Sequence, residues 1–231
     1  MNNQKTEWDQ SYNNKDNFVF YPHEEVIRFV SKYIRKRVGL NNYLDIRPFD
    51  TNPKILDLGC GIGRHVIYAS QMGLETYGID LSAVAIELAL HWGAEENILG
   101  LSERVKRGDI RRLPWADSYF DYVISNGVLD SMHFAIAKET IAEVYRVLRP
   151  EGLFYCDLIS GDNSTHSREY EGEEIVSSKH EEGTIQLYFN YAKINGLVKD
   201  YFEIVECNLI RKENVVSGNY SSRYHLVLMR R

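Results

Sequence analysis

The chain has 231 residues, 44% of them hydrophobic and 26% charged, a globular composition that excludes a mainly disordered chain. Its 27 basic and 33 acidic residues leave a net charge of −6, which argues against a general nucleic-acid binder. There is no run of about 18 apolar residues, so no membrane span is expected. The polar opening MNNQKTEWDQSYNNKDN has no apolar signal region, which points to a cytoplasmic protein. Cys60, Cys156 and Cys207 are far apart and form no CxxC. They read as small buried residues in a reducing compartment.

Taken in chain order, residues 1–50 mix aromatic and polar residues, with Trp8, Tyr12, Phe18, Phe20 and Tyr21 spread along a polar segment. Within them, Val26, Ile27, Val30, Ile34 and Val38 recur at helical spacing, which predicts a helix over 24–38. Asparagines and prolines over 41–53 mark a loop. Residues 54–160 then alternate apolar runs (54–59, 76–80, 104–109, 119–126, 153–160) with helical patterns (after 63, 82–98, 137–148). Strand–helix alternation of this kind predicts a parallel sheet covered on both faces, with ligands at the strand exits. Residues 162–182 carry seven acids against Arg168 and Lys179, and read as an inserted cap. Residues 187–210 predict a helix then a strand, and 221–231 a last strand, forming an antiparallel hairpin at the sheet edge. Length favours one domain: residues 1–50 a helical lid, 51–160 a ligand-binding core, 161–231 a cap and hairpin.

The strongest local signal is Ile55-Leu56-Asp57-Leu58-Gly59-Cys60-Gly61-Ile62-Gly63-Arg64. An apolar strand runs into three glycines at alternate positions and then a helix. Such glycines permit a tight turn and leave no Cβ to block a ligand. The dinucleotide fingerprint needs a sixth-position glycine, which here is Arg64. Three more strand ends carry polar groups: Asp80-Leu81, Asp109-Ile110 and Asn126-Gly127. A helix-ending Arg146-Val147-Leu148-Arg149-Pro150-Glu151-Gly152 precedes the fifth strand.

These motifs, in this order, resemble the class I S-adenosylmethionine-dependent methyltransferases. The resemblance covers 54–160 closely and the C-terminal hairpin loosely. It implies an α/β, Rossmann-like, doubly wound seven-stranded sheet, mostly parallel with an antiparallel C-terminal hairpin strand, plus the N-terminal helical lid. It implies S-adenosylmethionine as cofactor, with Asp57 toward its ammonium and Gly59, Cys60, Gly61 and Gly63 wrapping the methionine and ribose. By the same likeness, Asp80 and Leu81 meet the ribose, Asp109 and Ile110 the adenine, and Asn126 lies at the fourth strand's exit. A carboxylate at Asp80 can accept from both ribose hydroxyls. Tyr12 and Tyr21, the hydroxyl-bearing rings of the lid, are expected at the cofactor, whereas Phe18 and Phe20 are expected to pin the segment to the core.

Methyl transfer from a sulfonium is an in-line displacement that asks for alignment and sometimes a base. His133 and Asp130, just past the fourth strand, are the candidate bases; an ordinary histidine titrates near 6.5. Asn126 is followed by Gly-Val-Leu, so the N/D-P-P-Y/F signature of nucleobase and glutamine methyltransferases is absent. The expected acceptor is a small molecule attacked through oxygen or nitrogen. The rivals are an RNA or protein methyltransferase and a non-catalytic relative that kept the fold. No metal is expected, since no cluster has ligand spacing. A monomer or homodimer without a nucleic-acid partner is expected.

Overall fold

The computed structural model of the protein describes residues 2–15, 17–178 and 181–231. Lys179, part of the acidic stretch, lies outside the described residues. The chain opens with α1 (Asn2–Asn13) and α2 (Glu24–Tyr33). His23 caps α2 by accepting the Glu25 N–H, and Glu24 and Glu25 sit in its positive first turn. The helix ends earlier than its spacing predicts. Ile34 leaves helical geometry at φ −120, and β1 (Arg35–Arg37) pairs antiparallel with β2 (Tyr43–Asp45). The cause is tertiary: Ile34 is fully buried and its carbonyl takes the Ile46 N–H, which folds the following residues back as a hairpin.

The core alternates as expected: β3 (Lys54–Leu58), α3 (Arg64–Gln71), β4 (Glu75–Asp80), α4 (Ala83–Glu95), α5 (Leu101–Arg104), β5 (Val105–Arg107), β6 (Phe120–Ser125), α6 (Phe134–Val147) and β7 (Leu148–Ile159). Next come β8 (Glu173–Ile175), β9 (Ile185–Leu187), α7 (Tyr191–Val198), β10 (Phe202–Glu213) and β11 (Tyr220–Arg230). The acidic stretch thus contains one strand of a small antiparallel hairpin, β8–β9. Helix α7 begins later than the 187 boundary because Asn190 caps it, its side chain accepting the Lys193 N–H at 2.8 Å.

Seven strands form one sheet in the order β10-β11-β7-β6-β3-β4-β5. All are parallel except β11, which runs antiparallel to both neighbours. Period-two alternation divides the core. Leu56, Val123, Phe154 and Leu226 face α6 and α7, packing with Ile141, Val144, Ile194 and Leu197. Their chain neighbours Ile55, Ile124, Tyr155 and Val227 face α2 and α3, packing with Val26, Phe29, Val30 and Met72. Order reverses between β3 and β6, so the exits of these two strands bound a crevice that no crossover fills.

Beside that crevice Arg223 on β11 bridges two buried carboxylates. Its Nη2 donates to Asp130 at 2.6 Å and its Nε to Asp157 at 2.8 Å. Arg223→Met strands both charges and is expected to lower stability by about 3–5 kcal/mol in urea unfolding. Adding Asp130→Asn recovers part of that loss by removing one stranded charge. A loss under about 1 kcal/mol for the single variant would show that the bridge gives no net stabilisation.

Candidate active site

The glycine loop leaves β3 at the reversal point. Gly59 and Gly61 have φ of +70 and +51, and both approach neighbours closely. A Cβ on Gly61 would lie 2.6 Å from the Tyr12 hydroxyl, and one on Gly59 would lie 2.6 Å from a Val128 methyl. The loop is held by Asp80 at the end of β4, whose Oδ2 accepts the Gly61 N–H at 2.8 Å while Oδ1 accepts the Ser82 N–H at 2.9 Å. Burial pushes the Asp80 carboxyl up to about 6, against the opposing pull of those backbone donors.

Helix α1 lies across this loop. Asp9 accepts from the Ser82 hydroxyl at 2.5 Å and from the Ala83 N–H at 3.1 Å, which docks α1 on the N-terminus of α4. Tyr12 is buried in a small cluster with Ile62 and Ala85, and burial pushes its phenol well up, so it stays protonated. Phe18 joins the Tyr12 cluster as expected, whereas Phe20 packs edge-to-face on Trp92 of α4 at 5.0 Å but stays 52% exposed, on the surface and not in the core.

These elements border a half-open cavity of about 420 Å³. Of the residues singled out from the sequence, Tyr12, Gly59, Cys60, Gly61, Asp80, Leu81, Asp109, Ile110 and Asn126 line it. Gly63 does not: it caps α3, with Ala89 3.1 Å from where its Cβ would be. Asp57 is buried behind the loop, its Oδ2 without a hydrogen-bond partner and 3.7 Å from His65 Nδ1. His65 Nε2 accepts the His23 N–H at 3.2 Å, which leaves Nδ1, on the Asp57 side, as the proton-bearing nitrogen. Asp109 is gripped by the Arg111 fork at 2.6 to 3.1 Å, a bonding that lowers its carboxyl pKa.

Three further expectations are corrected. Tyr21 is 75% exposed and outside the cavity, because the chain has already turned away from the loop toward α2. Asp130 is fully committed inside the protein, to Arg223 and to the Ile159 N–H at 2.8 Å. His133 faces solvent at the start of α6, its Nδ1 2.6 Å from Glu173 of β8. That same carboxylate accepts the Phe134 N–H and so caps α6 from outside. Neither residue lines the cavity, so neither is placed to take a proton there.

Trp8 of α1, one of the aromatic residues of the N-terminal segment, closes the wall on one side together with Asn17 and Val19, which the sequence did not single out. Val128, Met132 and Ile136, also not singled out, provide an apolar side. Met132 stands in the bend just before α6 and Ile136 in the first turn of that helix, so the turn into α6 brings them to one wall. Arg64, which directly follows the glycine loop, also lines the cavity.

The residues fit an adenosyl sulfonium ligand. An orphaned buried carboxylate oxygen suits a cationic group, side-chain-free backbone admits close approach, and an acid at the β4 exit suits vicinal hydroxyls. Residues 56–156 match the family described as a methyltransferase domain. Sheet order, glycine loop and that match agree on the class: residues 56–156 are similar to the methyltransferase domain of class I, S-adenosylmethionine-dependent enzymes. Among its relatives, the malonyl-[acyl-carrier protein] O-methyltransferase of Pectobacterium atrosepticum is 31% identical over 140 residues, covering 59% of this chain and 51% of that protein. The chain spans about half the length of the curated relatives it matches. Among solved structures, an S-adenosylmethionine-dependent methyltransferase of Methanosarcina mazei shares the fold at TM-score 0.64 and 23% identity, over 81% of this chain and 99% of that one. The 1,6-didemethyltoxoflavin-N1-methyltransferase of Burkholderia thailandensis, solved with S-adenosylhomocysteine, does so at TM-score 0.56 and 20% identity, over 78% and 71%.

Asp80 sets a pH dependence. Its folded pKa of about 6 lies above its ordinary 3.8, so its contribution favours folding below 3.8 and disappears as pH rises through about 6. Between about pH 4 and pH 7 the ligand-free wild type should lose on the order of 3 kcal/mol relative to Asp80→Asn, read from paired denaturation curves. The lost backbone bond in the variant adds only a constant offset. Parallel curves would mean that Asp80 titrates normally in the fold.

Proposed function

We propose that the chain is an enzyme that transfers a methyl group from S-adenosylmethionine to an oxygen or nitrogen atom of a small-molecule acceptor. The observation that carries this reading is the half-open cavity at the β3–β6 reversal, floored by positive-φ glycines and bounded by Asp80 and Asp109 at two strand exits. Bound S-adenosylmethionine supplies an electrophilic methyl on an already good leaving group. Asp80 would accept from the ribose hydroxyls, with Gly59, Cys60 and Gly61 giving bare backbone to the amino-acid side. Ile110 would pack near the adenine and Asp109 at its edge. Asp57, behind the loop, would provide a negative field for the ammonium. Helix α1 covers part of the cavity through Trp8 and Tyr12, and with ligand bound would limit access of water.

In this reading residues 1–231 act as one unit, with 1–50 covering the cofactor side and 161–231 buttressing the acceptor side. A small acceptor is favoured because α1 roofs the cavity and the chain is acidic overall. Its two lining arginines form no basic track for a phosphate backbone.

S-adenosylhomocysteine should raise the melting temperature, and NAD should not. By calorimetry, Asp80→Ala should weaken S-adenosylhomocysteine by on the order of 2 kcal/mol, roughly 30-fold. His133→Ala should leave that affinity unchanged. Unaltered affinity in the Asp80 variant would remove the ribose assignment. Binding of RNA that falls steeply with salt would favour an RNA acceptor instead.

A further inference from the structure

The side chain of Arg64, the first residue of α3, reaches from the glycine loop to the exit of β6, where its Nη2 donates to the Asn126 Oδ1 at 2.7 Å. Asn126 is neutral, so this bond orients the guanidinium without cancelling its charge. It is the only hydrogen bond of the Arg64 side chain seen among the described residues. The other arginine of the cavity wall is closed off: the Arg111 fork holds Asp109 and lies 3.7 Å from Glu139. Arg223, nearby on β11, is spent on Asp130 and Asp157. Arg64 is therefore the arginine of the described wall whose observed partner is a neutral amide, where Arg111 holds a carboxylate. A guanidinium presents five donors in a planar fork, and the Asn126 bond uses one. A half-buried, pre-oriented cation facing a cavity matches a planar anion that accepts two parallel bonds.

We propose that Arg64 is the carboxylate-recognising residue of this cavity, with Asn126 as the residue that positions its fork. The inference rests on the methyltransferase reading above. Two ligands could present the carboxylate, the amino-acid end of the cofactor or the acceptor, and the recognition chemistry is the same for both. A fork is required as well as a charge, so lysine is a poor substitute.

The test compares wild type with Arg64→Gln, in calorimetry with adenosine, S-adenosylhomocysteine and the decarboxylated analogue of the latter. It adds thermal shifts of the S-adenosylhomocysteine-saturated proteins with benzoate and hexanoate against their amides. Adenosine has no amino-acid part, so its unchanged affinity in the variant shows an intact cavity. Arg64→Lys, which keeps the charge and most of the bulk, is the second variant if Arg64→Gln fails to hold adenosine. If the cofactor supplies the carboxylate, S-adenosylhomocysteine weakens about 10-fold or more in either variant while the decarboxylated analogue is unaffected. If the acceptor supplies it, S-adenosylhomocysteine is unaffected and the carboxylates, not the amides, stabilise wild type alone. Either pattern supports the proposal and names the source. Equal S-adenosylhomocysteine affinity together with equal response to the carboxylates overturns it. Wild type that binds neither adenosine nor S-adenosylhomocysteine removes the methyltransferase reading, and this inference with it.

Discussion

The pair of backbone bonds accepted by one buried carboxylate, Asp80, organises the functional end of the molecule. One oxygen fixes the glycine loop through Gly61, and the other fixes the turn into α4 through Ser82. Ser82 then caps α4 by accepting the Ala85 N–H and donates its own proton to Asp9. Helix α1 is thereby seated with Tyr12 against Gly61. Loop shape, helix start and cavity roof are coupled through a group that loses solvation by being there. Placing an ionisable side chain in that position is costly, and the raised pKa is the sign of the cost. A ligand donating hydroxyl protons to Asp80 would relieve it, which is a physical reason for a destabilising acid at this strand end.

The second organising constraint is the sheet. Parallel strands covered on both faces expose their functional groups only at their ends. The β3–β6 reversal opens a crevice there, and the sequence places polar residues at the four surrounding exits. The antiparallel β11 adds Arg223 beside this crevice. Through Asp157 it is linked to the Gly127 N–H, at 2.6 Å from the carboxylate, and so to the loop that carries Asn126. One wall of the cavity thus depends on the last strand of the chain.

The glycine-loop side of the cavity was legible because its residues answer to local rules. Asp80 and Asp109 each end an apolar strand, and the glycines follow one, so their common location comes from the strand–helix period alone. The base candidates illustrate the opposite case. His133 and Asp130 stand at the right place along the chain, but their partners, Glu173 and Arg223, are 40 and 93 residues away. Tyr12 and Tyr21 look alike in a polar aromatic segment, yet one is buried against Gly61 and the other faces solvent. The helix expected over 24–38 stops at Tyr33 because the Ile34 carbonyl finds a partner in Ile46 beyond the hairpin.

The amino-acid sequence by itself determined the doubly wound sheet, its antiparallel last strand, the glycine loop and the acids at the strand exits. Hydrophobic period and glycine conformational freedom act over a few residues and need no knowledge of distant chain. Tertiary structure alone decided which polar groups face the cavity and which are consumed in pairing. A carboxylate or guanidinium is neutralised by whatever the fold brings within about 3 Å, and that neighbour has no fixed place in the sequence.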